Sequence, residues 1–93
     1  MKIPAKNVYV VISGRVIGVF FRAWTKTQAD SLGLRGFVKN VGDHVEAVFQ
    51  GDEKKINKML ELLKIGPPAA RVEKVEIFSK KSEEVFRGFE IRR

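Results

Sequence analysis

Two glycines four residues apart, with an arginine four residues further on, make up the part of this sequence best equipped for chemistry. It reads Gly14-Arg15-Val16-Ile17-Gly18-Val19-Phe20-Phe21-Arg22. Glycine tolerates the backbone angles that let a short loop turn successive N–H groups into one concavity. A helix opening just beyond would add its own unsatisfied N–H groups and the positive end of its dipole. The combination suits an anion, above all a phosphate. Arg22 strengthens the reading, because it falls in the first turn of the expected helix, where a cation costs about 0.3–1 kcal/mol. Lys26 adds a like charge one turn later, where side chains four apart meet. Asp or Glu would serve stability better there. A bound anion supplies the missing negative charge. The side chain of Arg15 reads as solvated, its backbone as part of the loop.

The surrounding elements must place these groups. Asn7 to Ser13 predicts a strand with Val8, Val10 and Ile12 on one face and Tyr9 and Val11 on the other, which suits an internal position in a sheet. Phe21 to Leu32 predicts an amphipathic helix, with Phe21, Trp24, Thr25, Gln28, Ala29 and Leu32 at helical spacing and Gly33 placed for a left-handed cap. Arg35 to Val41 and Val45 to Gln50 predict a hairpin through Gly42-Asp43. Asp52 fits the N-cap of a second helix striped by Ile56, Met59, Leu60 and Leu63 and ended by Gly66-Pro67-Pro68. Arg71 to Ser79 predicts a fourth strand in which Val72 is out of phase with Val75 and Ile77. Lys80 to Glu84 reads as a polar turn, Phe86 to Ile91 as a short terminal strand, and Met1 to Lys6 as a frayed lead-in.

That order, βαββαβ plus a short terminal strand, predicts an α+β ferredoxin-like α/β sandwich of split β-α-β units. Two helices cover one face of a mostly antiparallel sheet. A right-handed crossover through the first helix makes the first two strands parallel, with the third inserted antiparallel between them. The C-terminal end of the second strand then lies at the sheet edge that carries the Gly14-to-Phe20 loop. Asn40 stands there.

Composition narrows the classes. A length of 93 residues suits one domain over 1–93, and 44% hydrophobic with 31% charged residues is globular. With no cysteine, disulfides, thiolate metal sites and cysteine nucleophiles are excluded. His44 is the only histidine and falls in a predicted turn, so it reads as exposed, with no companions for a metal site or a catalytic triad. No apolar run approaches a membrane span and no secretory segment is legible, so no membrane association is expected and the cytoplasm is the expected compartment. A net charge of +7 favours an anionic partner, although the charges are spread along the chain and mostly read as solvated faces.

Gly14 to Arg22 resembles the G-R-V-Q-G-V-x-F-R signature of the acylphosphatase family, with Ile17 where the family usually has glutamine. Gly36-Phe37-Val38-Lys39-Asn40 resembles that family's G-[WFY]-V-x-N. The likeness extends through Ala29, Leu32-Gly33-Leu34, Val45-Glu46-Ala47, Gly51-Asp52, Gly66-Pro67-Pro68, Val72 and Phe89-Glu90-Ile91. Two signatures at the right spacing are a specific signal. The resemblance implies hydrolysis of a small-molecule acyl phosphate to a carboxylate and inorganic phosphate, with no metal, cofactor or covalent intermediate. By position it implies Arg22 as the phosphate-binding arginine and Asn40 as the residue orienting the attacking water. Arg15, Val16, Ile17, Gly18, Val19 and Phe20 would form the backbone cradle for the phosphate.

Two other classes compete. The fold order and basic charge also fit single-stranded RNA recognition, and Arg35-Gly36-Phe37-Val38 echoes part of such a signature. It lies on the second strand and lacks the aromatics that should follow, so nucleic acid is not the expected partner. An acylphosphatase-like domain that binds phosphate or a partner without catalysis is the other alternative. A monomer is expected at this size.

Overall fold

Alternation along Lys6–Arg15 builds the first strand, β1, and divides it between two environments. Val8, Val10 and Ile12 are buried in the main core, whereas Tyr9 packs on the opposite face of the sheet. The computed structural model describes residues 6–79 and 85–93. After β1 come α1 (Phe21–Ser31), β2 (Arg35–Val41), β3 (His44–Gly51), α2 (Glu53–Ile65), β4 (Arg71–Ser79) and β5 (Phe89–Arg92). The strands form one sheet in the order β4-β1-β3-β2-β5. β3 runs antiparallel to both β1 and β2, which makes those two parallel with β3 between them. β4 joins the far side of β1 antiparallel, and β5 joins β2 parallel. This is the expected ferredoxin-like sandwich, with β1 internal and β3 at the centre.

Both helices lie on one face. Phe21 and Ala29 of α1 and Ile56, Met59 and Leu63 of α2 pack against Val38, Val45, Ala47, Phe49 and Phe89 of the sheet. Full burial of a large aliphatic or aromatic side chain stabilises by ~1.5–3 kcal/mol. That contact holds helices too short to persist alone in water. Asp52 caps α2 as expected, its carboxylate accepting from the amides of Lys54 at 3.1 Å and Lys55 at 3.3 Å.

The phase break at Val72 has a structural resolution. Ser13 pairs with Lys74 but Gly14 pairs with Val72, so Glu73 is an extra residue in β4. This β-bulge turns Val72 back to the helix-covered face, and both Val72 and Val75 pack on the main core. The same bulge explains Gly14. A Cβ there would lie 2.2 Å from the carbonyl oxygen of Arg71.

The terminal strand begins later than its sequence suggests, at Phe89. Phe86 belongs instead to a small cluster on the open face with Phe37, Val48 and Tyr9. Its amide donates to Oε1 of the buried Gln50 at 3.1 Å. Gly88 then accepts from the amide of Gly36, which starts the β2–β5 pairing. The turn expected over 80–84 and the lead-in over 1–5 lie outside the described residues.

Candidate active site

The loop between β1 and α1 is pinned by every third side chain. Val16 and Val19 are buried in the core, while Ile17, Gly18 and Phe20 face outward. Gly18 has φ 76°, and a Cβ there would meet nothing within 4 Å, so conformation alone accounts for glycine. Gly14 was expected to turn this loop. It is instead a β1 residue that lets β4 approach closely.

Phe20 occupies the N-cap position of α1 with φ 62° and ψ 26°, the left-handed region. For a bulky residue this conformation costs roughly 1–2 kcal/mol. No side chain caps this end and no acidic residue lies in its first turn. The first helical hydrogen bond runs from Trp24 N to Phe20 O at 3.0 Å. The amides of Phe21, Arg22 and Ala23 therefore have no acceptor within the helix.

A cavity of about 410 Å³ opens at this end of α1. Val16, Gly18, Phe20, Phe21, Arg22, Ala23, Asn40, Ile91 and Arg93 line it. Arg22 and Asn40, 18 residues apart in sequence, thus meet at one site, as the topology requires. Half-buried Arg22 donates from Nη1 to the carbonyl of Arg92 at 3.4 Å. Lys26 turns away from it, reaching Asp30 Oδ2 and the carbonyl of Phe89, both at 2.9 Å. The two cations thereby tie α1 to β5, the edge strand beyond β2 among the described residues. Asn40 pairs with Val45 across the hairpin, on the face covered by the helices. Its Oδ1 is buried and has no hydrogen-bond partner among the described residues.

Arg15, Ile17 and Val19 are not among the lining residues. Arg15 is the exposed last residue of β1, in register with Arg71, and Val19 is turned into the core. Every second loop residue, together with the start of α1, faces the cavity. Phe21, Ala23, Ile91 and Arg93 were not foreseen there. The alternation of Phe89 and Ile91 marks the inward face of β5, but only the parallel β2–β5 pairing carries Ile91 to the loop. Among the described residues, no group of three or more His, Asp or Glu is arranged to hold a metal ion.

His44 is not the exposed turn residue its sequence suggests. It opens β3 half-buried, its Nε2 2.8 Å from Glu46 Oε2 and its Nδ1 3.6 Å from Asp43 Oδ1. The hydrogen bond to Glu46 leads the forces that hold the imidazole above its ordinary pKa of 6.5. Glu46 also bonds Tyr9, which pushes the phenol up to about 12 and, with His44, keeps the carboxyl low. By strand alternation this cluster lies on the open face, away from Asn40.

A model of the acylphosphatase family matches residues 8–91. This chain belongs to the acylphosphatase family. An acylphosphatase of Rubrobacter xylanophilus is 46% identical over 88 residues, which are 94% of this chain and 80% of that protein. The structure of an acylphosphatase from Coxiella burnetii superposes with a TM-score of 0.91 at 36% identity, covering 96% of this chain and 94% of that one. An acylphosphatase from Bacillus subtilis gives the same TM-score, 0.91, at 31% identity over 95% of this chain and 99% of its own. These acylphosphatases share the ferredoxin-like sandwich, and this chain is an acylphosphatase hydrolase by that kinship. No helix among the described residues is long and apolar enough to cross a membrane.

Proposed function

We propose that the cavity binds the phosphoryl group of a small acyl phosphate and directs water onto it. The observation that carries this is a convergence on one cavity: an uncapped helix N-terminus, the Arg22 guanidinium and the unpartnered Asn40 oxygen. In this reading the amides from Gly18 to Arg22 and the planar Arg22 fork hold the phosphoryl oxygens. Asn40 Oδ1 accepts from a water and aims its oxygen at phosphorus, opposite the acyl oxygen. The water oxygen bonds to phosphorus as the phosphorus–acyl oxygen bond breaks, and that electron pair leaves with the carboxylate.

An amide is too weak a base to deprotonate water, so the water's proton passes to a phosphoryl oxygen of the product. The conjugate acid of the leaving group has a pKa of about 4, so it departs without a general acid. Charge spreading over the phosphoryl oxygens meets donors already in place. A good leaving group and a fixed guanidinium make the step independent of a metal. Phe37, the aromatic of the RNA-like stretch, supports a small-molecule substrate over RNA: its ring is covered by the Arg92 guanidinium 3.9 Å from the centroid and flanked by Phe86. The proposal extends to one domain over 1–93 working as a cytoplasmic monomer, which light scattering and fractionation check.

The test is turnover of acetyl phosphate in the presence of a chelator. Arg22→Gln and Asn40→Ala should each lower kcat/KM by about 10²–10³ with melting preserved. Inorganic phosphate should raise the melting midpoint of the unaltered protein, and less so that of Arg22→Gln. Phosphate-dependent melting without turnover would reduce the site to a phosphate-binding domain. Tight, salt-sensitive RNA retention would restore the nucleic-acid reading.

A further inference from the structure

Neither the core nor the cavity accounts for Lys26. It sits one turn beyond Arg22 on α1, where a second cation is a like-charge neighbour, and it is not among the residues that line the cavity. Its ammonium nevertheless makes two bonds, one to Asp30 Oδ2 and one to the Phe89 carbonyl, both at 2.9 Å. The half-exposed ion pair with Asp30 adds little stability of its own, because water screens it. It does offset the ammonium charge and aim the group at β5. The Phe89 carbonyl is a firm anchor, since the Phe89 ring is buried and stacked on Phe49 with centroids 5.4 Å apart. Three residues along the same strand, the Arg92 carbonyl accepts from Arg22 Nη1 at 3.4 Å. α1 and β5 are therefore joined at two points, and the cavity lies at the second.

We propose that Lys26 is a positioning residue for Arg22: it sets α1 against β5 so that the Arg92 carbonyl holds the guanidinium at the angle the phosphoryl group needs. The inference rests on the hydrolase reading above. An arginine side chain has many rotamers, and its planar fork grips a phosphoryl group best when already turned towards it. The bond from Arg22 to Arg92 is long, so by itself it restrains the guanidinium weakly. The shorter Lys26 bond, one turn away, fixes the spacing of helix and strand on which that contact depends. A displacement of about 1 Å in a group that binds the reacting phosphate is enough to slow a reaction severely.

A double-mutant cycle on kcat/KM for acetyl phosphate tests this. Lys26→Met keeps the apolar stem and removes the donors, and it should lower kcat/KM about tenfold with melting nearly preserved. It should weaken competitive inhibition by inorganic phosphate to a similar degree, because the same guanidinium holds that oxyanion. In the Arg22→Gln background Lys26→Met should have less than about a twofold effect, since the group it positions is gone. Lys26→Arg should restore most of the loss by donating to the same carbonyl. Asp30→Ala frees the ammonium without touching β5, and should repeat the pattern with a smaller loss. A purely structural lysine would lower kcat/KM equally with and without Arg22. That result overturns the positioning proposal alone, as does a folded Lys26→Met with unchanged kcat/KM. If Arg22→Gln turns over acetyl phosphate as well as the unaltered protein does, the hydrolase reading of the cavity fails and this proposal falls with it.

Discussion

Arg22 and Asn40 do opposite electrostatic jobs. One is a cation at a helix terminus that disfavours cations, and the other is a neutral acceptor buried without a donor among the described residues. Each is locally unfavourable, and a bound phosphoryl group with its water would satisfy both. The only histidine takes no part in that arrangement. His44 shares Glu46 with Tyr9, and the remaining charges near the cluster are Asp43 beside it and Lys39 acting on Glu46. Because the folded pKa of His44 is raised, its stabilisation is full below the unfolded value of 6.5 and is lost as pH climbs through the folded value. Glu46 is lowered, so its share is lost as pH falls through its folded value, below the ordinary 4.5. The melting midpoint should therefore drop as pH rises above 6.5, and drop less in His44→Ala. Equal slopes for the two proteins would show that the pair contributes nothing. Turnover should show no protein base titrating near neutrality, with or without His44, since that side chain lies across the sheet from Asn40. The i, i+2 relation of His44 to Glu46 was missed because the sequence suggested a turn at His44, whereas β3 begins there. Tyr9 was missed as well, because only the β1–β3 register brings it to the carboxylate.

The two helices were equally legible from their stripes, yet they begin in different ways. α2 opens on Asp52, whose carboxylate caps two amides, and α1 opens on Phe20, which caps none. The bare terminus is the one that faces the cavity. Strand phase was harder to read, since Val72 looked misplaced until a bulge in β4 corrected it. The bulge brings the Arg71 carbonyl so near β1 that Gly14→Ala would place a Cβ 2.2 Å from it, at φ 125°. That change should destabilise by about 3 kcal/mol, read as a large fall in the denaturation midpoint. A midpoint that hardly moves would mean that the two strands do not approach this closely.

At the level of the molecule, the site joins the β1–α1 loop, the end of β2, and the last strand with Arg93. β5 is short, pairs among the described residues only with β2, and is fastened to α1 through Arg22 and Lys26. Filling the cavity with inorganic phosphate should therefore slow amide exchange along β5 and at the start of α1, and leave β4 unaffected. Uniform slowing across the sheet would instead indicate global stabilisation only. The chain order of strands and helices and the meeting of Arg22 with Asn40 at one cavity were readable in advance. Periodicity, glycine placement and crossover handedness are local rules, and they leave few ways to arrange seven elements. The contribution of Ile91 and Arg93, the left-handed turn at Phe20 and the Tyr9–Glu46–His44 cluster came only from the folded chain. Each depends on which strands become neighbours and on their register, and those are settled by packing of the whole core rather than by any single segment.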